Sequence, residues 1–199
     1  SSQLLGSQND MATIRLVDEE TDAQLVERYY DYIRKPASTG NVYQYEQWAE
    51  SVTGVGQAKV YPLWDGPGTV KVVISDQDYG VAPSETVEAC AAYIESVRPI
   101  GATVTVESAQ ALSLSVAAAV VIDATTTKEE VKRAFTAAAN GYLRSITFQK
   151  DAVIFNRLLF LLLDVGGVQD VTSMTVNGGT ENIPIGETQI PVLAGVVIS

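Results

Sequence analysis

The stretch from Asn41 to Val106 decides the architecture. It runs Asn41-Val-Tyr-Gln-Tyr45-Glu-Gln-Trp48-Ala-Glu-Ser-Val52-Thr-Gly54-Val55, then Gln57-Ala-Lys-Val-Tyr-Pro-Leu-Trp64, then Asp65-Gly66-Pro67-Gly68-Thr-Val-Lys-Val-Val-Ile74. After a polar loop come Val87-Glu-Ala-Cys90-Ala-Ala-Tyr-Ile94 and Arg98-Pro99-Ile100-Gly101-Ala-Thr-Val-Thr-Val106. Val42, Tyr45, Trp48, Ala49 and Val52 recur at helical spacing, and Gly54 stops that helix. Asp65-Gly66-Pro67-Gly68 is turn chemistry between two extended runs. Pro99 ends the second helix, because its ring excludes helical geometry from the preceding residue. The order is therefore helix, hairpin, helix and returning strand, with Trp48 expected in the core.

Upstream, Ser1 to Met11 is polar and unpatterned and reads as a flexible tail, part of a lead-in over residues 1–20. Thr21 and Gln24 make a capping box, and the acids of Asp18-Glu-Glu-Thr-Asp22 suit the positive end of a helix dipole. Leu25, Val26, Tyr29, Tyr30 and Ile33 then form one apolar stripe, closed by Pro36. Downstream, Ala109-Gln-Ala is expected to be a linker. Leu112, Leu114, Val116, Ala118, Val120 and Ile122 alternate with small or polar residues, predicting a long strand with one buried face. Thr127 and Glu130 form another capping box, opening a helix with Val131, Ala134, Phe135, Ala138, Tyr142 and Leu143 inward. A further helix over residues 152–164 is apolar almost all round and is expected to be buried on more than one side. The segments 170–176, 183–185 and 190–198, with the Asn177-Gly-Gly179 turn, give a β-rich end.

The fold class this predicts is α+β, with two related units of helices on small mixed or antiparallel sheets, at residues 21–108 and 109–199. A weak internal repeat supports the pairing. Val52-Thr-Gly54-Val55 and Val165-Gly-Gly167-Val168 each lie between a helix and a strand, and the order of elements is read as matching too. Chance recurrence of a common helix-to-strand junction is the other reading.

The formal net charge of −11 over 199 residues makes nucleic acid and anionic membranes poor partners. No transmembrane span is visible, since the apolar run Leu158 to Leu163 is far below the roughly 20 residues a span needs. Cys90 stands alone among apolar positions and reads as a buried small hydrophobe. The chain contains no histidine, which removes Ser-His-Asp, Cys-His and HExxH arrangements. No Walker lysine follows a glycine loop, and Gly66-Pro-Gly68 leads into a strand rather than a phosphate-binding helix. Asp76-Gln-Asp78-Tyr-Gly80 resembles the opening of a calcium loop, but its glycine is one position early and the later ligands are missing. Catalytic residues, cofactor and metal are therefore all expected to be none. Trp64, beside the turn, is the better candidate for a partner contact.

Taken together and in order, several of these residues resemble the C-terminal half of the baseplate J-like family of contractile phage tails and phage-like particles. They are Thr21-Asp22…Leu25…Arg28, Pro36…Gly40-Asn41…Tyr45…Trp48-Ala49, Val52-x-Gly54-Val55, Trp64-x-Gly66-x-Gly68-Thr-Val and Arg98-Pro99-x-Gly101-Ala. The likeness extends from about Val17 to Ile198. It implies structural roles for Asn41, Tyr45, Trp48, Gly54, Val55, Trp64, Gly66, Gly68, Arg98, Pro99 and Gly101. It also implies a non-enzymatic baseplate component, assembled in the host cytoplasm and resident in the virion. The implied partners are other wedge proteins and copies of itself in a ring. Members of the family are usually longer, so the chain, starting at Ser1, reads as a fragment or a short member. Two other classes remain as alternatives: a carbohydrate-binding or adhesion module using Trp64 and tyrosines, and a glycosidase working with two carboxylates.

Overall fold

A computed structural model describes residues 41–199. The helix expected from Thr21 to Lys35 and the tail before it lie outside the described residues. Within them the protein is α+β. The first core is built from α1 (Val42–Glu50), the hairpin strands β1 (Val55–Pro62) and β2 (Thr69–Asp76), α2 (Ser84–Val97) and β3 (Thr103–Ser108). β2 is the middle strand, antiparallel to β1 and parallel to β3. Both helices lie on one face, where Tyr45 and Ala49 of α1 and Cys90 and Ile94 of α2 meet Ala58, Val60, Val70, Val72 and Ile74. Asn41 caps α1 by accepting the Tyr43 N–H at 3.0 Å, which satisfies one of the donors a helix start leaves free.

Trp48 is not fully enclosed. The line of deepest burial on α1 runs through Tyr45 and Ala49, so Trp48 sits on its flank, half-buried and edge-on to Tyr45 with ring centroids 5.2 Å apart.

The second core consists of β4 (Gln110–Ile122), α3 (Lys128–Ile146), β5 (Ala152–Val153), α4 (Phe155–Leu163), β6 (Val168–Val176), β7 (Ile183–Pro184) and β8 (Gln189–Ile198). β4 is the middle strand, antiparallel to β6 and parallel to β8. Its even-numbered residues from Leu114 to Val120 are buried against Val131, Phe135 and Leu143 of α3 and Leu158 and Leu162 of α4. Half of the capping box forms at Thr127, whose hydroxyl oxygen accepts the Glu130 N–H at 3.2 Å, while the Glu130 carboxylate accepts the Thr126 hydroxyl at 3.2 Å instead. The inward face of α3 is turned slightly from expectation: Ala134 is exposed, while Ala139 and Ile146 are buried.

Other expectations fail as well. The helix predicted from residue 152 starts at Phe155, because Ala152 and Val153 pair with Pro184 and Ile183. It is also buried on one side only, leaving Phe160 and Leu163 exposed. Ala109 is no linker. It is 1% exposed, packs with Val73 and Ile190, and donates its N–H to the Ile74 carbonyl at 2.8 Å. β3 passes into β4 through this one buried residue, so the second core leans directly on the open face of the first sheet. Tyr61, Phe148 and Val192 pack around the same contact, and the Tyr61 hydroxyl donates to the Glu187 carbonyl.

The two Val-x-Gly-Val junctions adopt the same turn. Val55 donates to the Val52 carbonyl and Val168 to the Val165 carbonyl, both at 3.1 Å. Gly54 and Gly167 both take positive φ, 95° and 88°, a region open to glycine at little cost. Each glycine faces a threonine near the start of the helix that follows the middle strand: Thr86 for Gly54, Thr126 for Gly167. Each valine opens an edge strand antiparallel to that middle strand. The order of elements does not match, however. The first core runs helix, edge strand, middle strand, helix, parallel strand; the second begins with its middle strand and reaches the junction only after both helices.

Candidate contact surfaces

At one end of the first sheet, β1 finishes while β2 and β3 begin, so the hairpin tip and the turn after α2 are brought together. Thr69 braces the tip: its hydroxyl donates to the Gly66 carbonyl at 2.7 Å and accepts the Asp65 N–H at 3.1 Å. The Leu63 N–H donates to the Thr69 carbonyl at 2.7 Å, with Leu63 itself at a φ of 57°. Gly68 lies against the returning turn, since its carbonyl accepts the Thr103 N–H at 2.8 Å and a Cβ there would sit 3.2 Å from the Gly101 oxygen. Trp64, Gly66, Gly68, Arg98, Pro99 and Gly101, far apart in sequence, thus share one end of the sheet. Asn41, Tyr45, Trp48, Gly54 and Val55 form a different group around α1.

Arg98 stands between the two groups. Its guanidinium makes a two-pronged contact with Glu95, at 2.7 and 2.5 Å, and donates to the Pro99 carbonyl at 3.1 Å. The hydrogen bonds from Arg98 hold the Glu95 carboxyl below its ordinary range. Tyr45 feels Arg98 as well, but burial dominates and pushes its phenol upward. The Tyr45 hydroxyl is buried without a hydrogen-bond partner among the described residues.

The end so assembled exposes apolar surface. Ile100 is 98% exposed, Leu63 47% and Trp64 44%. One face of the Trp64 ring is taken by the Lys71 ammonium, 5.0 Å from its centroid and itself paired with Glu107 at 3.1 Å. Sequence reading singled out Trp64 but missed Leu63 and Ile100. Ile100 follows a helix-ending proline and precedes a glycine at φ 90°, a turn that holds its side chain away from the other described residues.

The loop compared with a calcium site is used as a turn. The Asp76 carboxylate accepts the N–H groups of Asp78 and Gly80 at 2.8 and 2.7 Å, the hydrogen bonding of an Asx turn. Tyr79, at φ 61°, is presented to α3, where the Arg144 guanidinium lies 5.5 Å from its ring centroid. Among the described residues no cluster of acidic, histidine or cysteine side chains could hold a metal ion. None of their helices is long and apolar enough to cross a membrane. Burial raises the Cys90 thiol to about 11, so the thiolate a nucleophile needs is absent near neutrality.

With this geometry in place, comparison with known proteins is decisive. The baseplate J-like central domain matches residues 37–108, and the baseplate J-like protein C-terminal domain matches residues 114–199. The chain belongs to the baseplate J-like family. The boundary between the two matches falls around Ala109, where the two cores meet. The chain is 32% identical over 188 residues to the phage-like element PBSX protein XkdT of Bacillus subtilis (strain 168), covering 91% of this chain and 54% of that protein. It is 29% identical over 165 residues to the baseplate protein gp47 of Escherichia phage Mu, covering 77% of this chain and 45% of the relative. The chain therefore spans about half the length of the curated relatives it matches. A chain in the six-fold symmetrised cryo-EM structure of the anti-feeding prophage baseplate shares the fold, with a TM-score of 0.54 over 88% of this chain and 41% of that one, at 8% identity.

Proposed function

We propose that this baseplate J-like chain is a structural component of a contractile phage or prophage-like tail baseplate, acting in wedge assembly through protein–protein contacts and without catalysis. The observation that carries the reading is the match of both family domains, end to end, across residues 37–199. The apolar end built from Leu63, Trp64 and Ile100 supports it, because exposed apolar clusters on otherwise polar surfaces mark sites of association. In this reading, the described part of the first unit, residues 41–108, and the second unit, 109–199, are held as one body through Ala109 and the Tyr79–Arg144 contact. The family-motif residues then serve to shape surfaces presented to other wedge proteins and to further copies in a ring. The protein resides in the virion after assembly in the host cytoplasm, with neither nucleic acid nor membrane as a partner. The test is complementation: supply the chain, within its parent protein, to a tail-defective prophage and count particles with complete baseplates by electron microscopy. Complete baseplates in its absence would refute the role.

A further inference from the structure

The end of α3 and the start of α4 enclose a groove of about 370 Å³ whose walls include Tyr142, Ile146, Lys150, Ile154 and Arg157. The Tyr142 hydroxyl accepts the Ile154 N–H at 3.0 Å and fastens the two sides. Ion pairs among the described residues join Lys71 to Glu107 and Arg98 to Glu95. Lys150 and Arg157 therefore have no carboxylate among the described residues within ion-pair distance, and both are exposed in a strongly acidic chain. Asp151 also borders the groove, and one carboxylate against two cations leaves it positive. Arg157 is the last α4 residue lining the groove, and Phe160 and Leu163 are exposed on the same helix three and six residues beyond it. Six residues of helix advance about 9 Å, so the cations and the apolar pair lie within reach of one short peptide.

We infer that this groove and the outer stripe of α4 dock an acidic, apolar-tipped segment of a neighbouring protein, its carboxylates on Lys150 and Arg157 and its apolar side chains on Phe160 and Leu163. The inference rests on the contact role proposed above and names one surface for it. The argument for the occupant is charge complementarity. Among the described residues this groove combines two cations without a carboxylate partner and, on the same helix as Arg157, two exposed apolar side chains. Opposite charges across an interface steer encounter and reject wrong partners.

The probe is the blocked peptide acetyl-Glu-Glu-Leu-Glu-Phe-Leu-amide, titrated into the isotopically labelled full chain and followed by amide chemical shifts at low salt. Shifts confined to Tyr142, Ile154, Arg157 and Phe160 are expected, with affinity at least tenfold weaker in K150E/R157E and weakened by added salt. The double substitution lies on exposed positions, and an unchanged thermal melt verifies its fold. Absent or scattered shifts, or equal binding of the peptide with lysine in place of glutamate, would overturn the proposal. So would peptide binding that appears only after Asp18, Glu19, Glu20 and Asp22 are neutralised, since the chain's own acidic stretch would then be the occupant. A concentration-dependent dimer abolished by K150E/R157E would overturn it in favour of a second copy. The complementation count separates the two readings: no peptide binding with baseplates still dependent on the chain removes the docking site alone.

Discussion

Arg144 of α3 sits over the ring of Tyr79, 5.5 Å from its centroid, and so ties the loop after β2 to the second core. The loop is preset for this, because Asp76 accepts two of its N–H groups and holds Tyr79 at positive φ. A cation over an aromatic face at a partly exposed site contributes about 0.5–1 kcal/mol. Arg144→Ala should lower unfolding free energy by that amount in a urea titration. Asp76→Ala should cost more, since it frees two backbone donors as well as the loop. A Tyr79→Ala, Arg144→Ala double mutant no less stable than either single mutant would show that the pair acts as a unit.

Gly56 has a larger predicted effect, and nothing in the sequence marked it. The register of β1 on β2 shifts between Val55 and Ala58, and a Cβ on Gly56 would lie 2.0 Å from the Asp76 carbonyl oxygen. Backbone cannot yield as a flexible side chain can. Gly56→Ala should cost more than about 3 kcal/mol, read as a large drop in melting temperature or as insoluble expression. Gly66→Ala is the control for space: a Cβ there meets nothing within 4 Å, so only the strain of its positive φ remains.

On α1 the two aromatic residues should separate. Tyr45 is 1% exposed and Trp48 only half-buried. Tyr45→Ala should cost about 3–5 kcal/mol as a core truncation, and Trp48→Ala about 2 kcal/mol from partial burial and the edge-on ring contact. Chemical denaturation of both mutants checks the order. Equal losses would mean that Trp48 is covered by something beyond the described residues.

The contrast shows where sequence was a sufficient guide. Alternation from Leu112 to Ile122 and the cap at Thr127 were legible, because period and hydrogen-bonding chemistry act locally. The baseplate J-like likeness was legible from glycine, proline and tryptophan positions, which mark turns that tolerate few substitutes. Ala109 was misread as a linker because its burial comes from Val73 and Ile190, both remote in sequence. The helix expected over residues 152–164 was read as buried on more than one side because hydrophobicity reports a preference for burial, not what covers it. Phe160, 61% exposed, shows the difference.

Cys90 makes the protein sensitive to alkali. Its thiol is raised to about 11 by burial, against about 8.5 when unfolded. Between these values the unfolded chain releases a proton that the folded one retains, so stability falls as pH rises through that window. Below pH 8 the thiol contributes no pH dependence. Cys90→Ala should flatten the alkaline limb of a stability profile by on the order of 2 kcal/mol, besides a pH-independent loss from the small cavity. A thiol reagent such as Ellman's should leave Cys90 untouched near neutrality until the chain is unfolded; rapid labelling of the native protein would contradict its burial.

The last prediction concerns the apolar end of the first sheet, where Leu63, Trp64 and Ile100 converge through the Gly68–Gly101 approach. At 98% exposure Ile100 can be replaced with little effect on folding, since water already meets its side chain. Ile100→Asp in particular should change the melting temperature by no more than a degree or two. If this end meets a neighbouring wedge protein, a buried unpaired carboxylate would cost several kcal/mol at the contact. Complete baseplates should then fall at least tenfold in the complementation count. Asp78→Ala and Glu85→Ala, also exposed but outside this end, serve as matched controls and should assemble normally. Normal assembly with Ile100→Asp would place the contact elsewhere on the chain. Normal assembly but failed infection in the Asp78 and Glu85 mutants would instead reveal a chemical role for carboxylates, and would sink the purely structural reading.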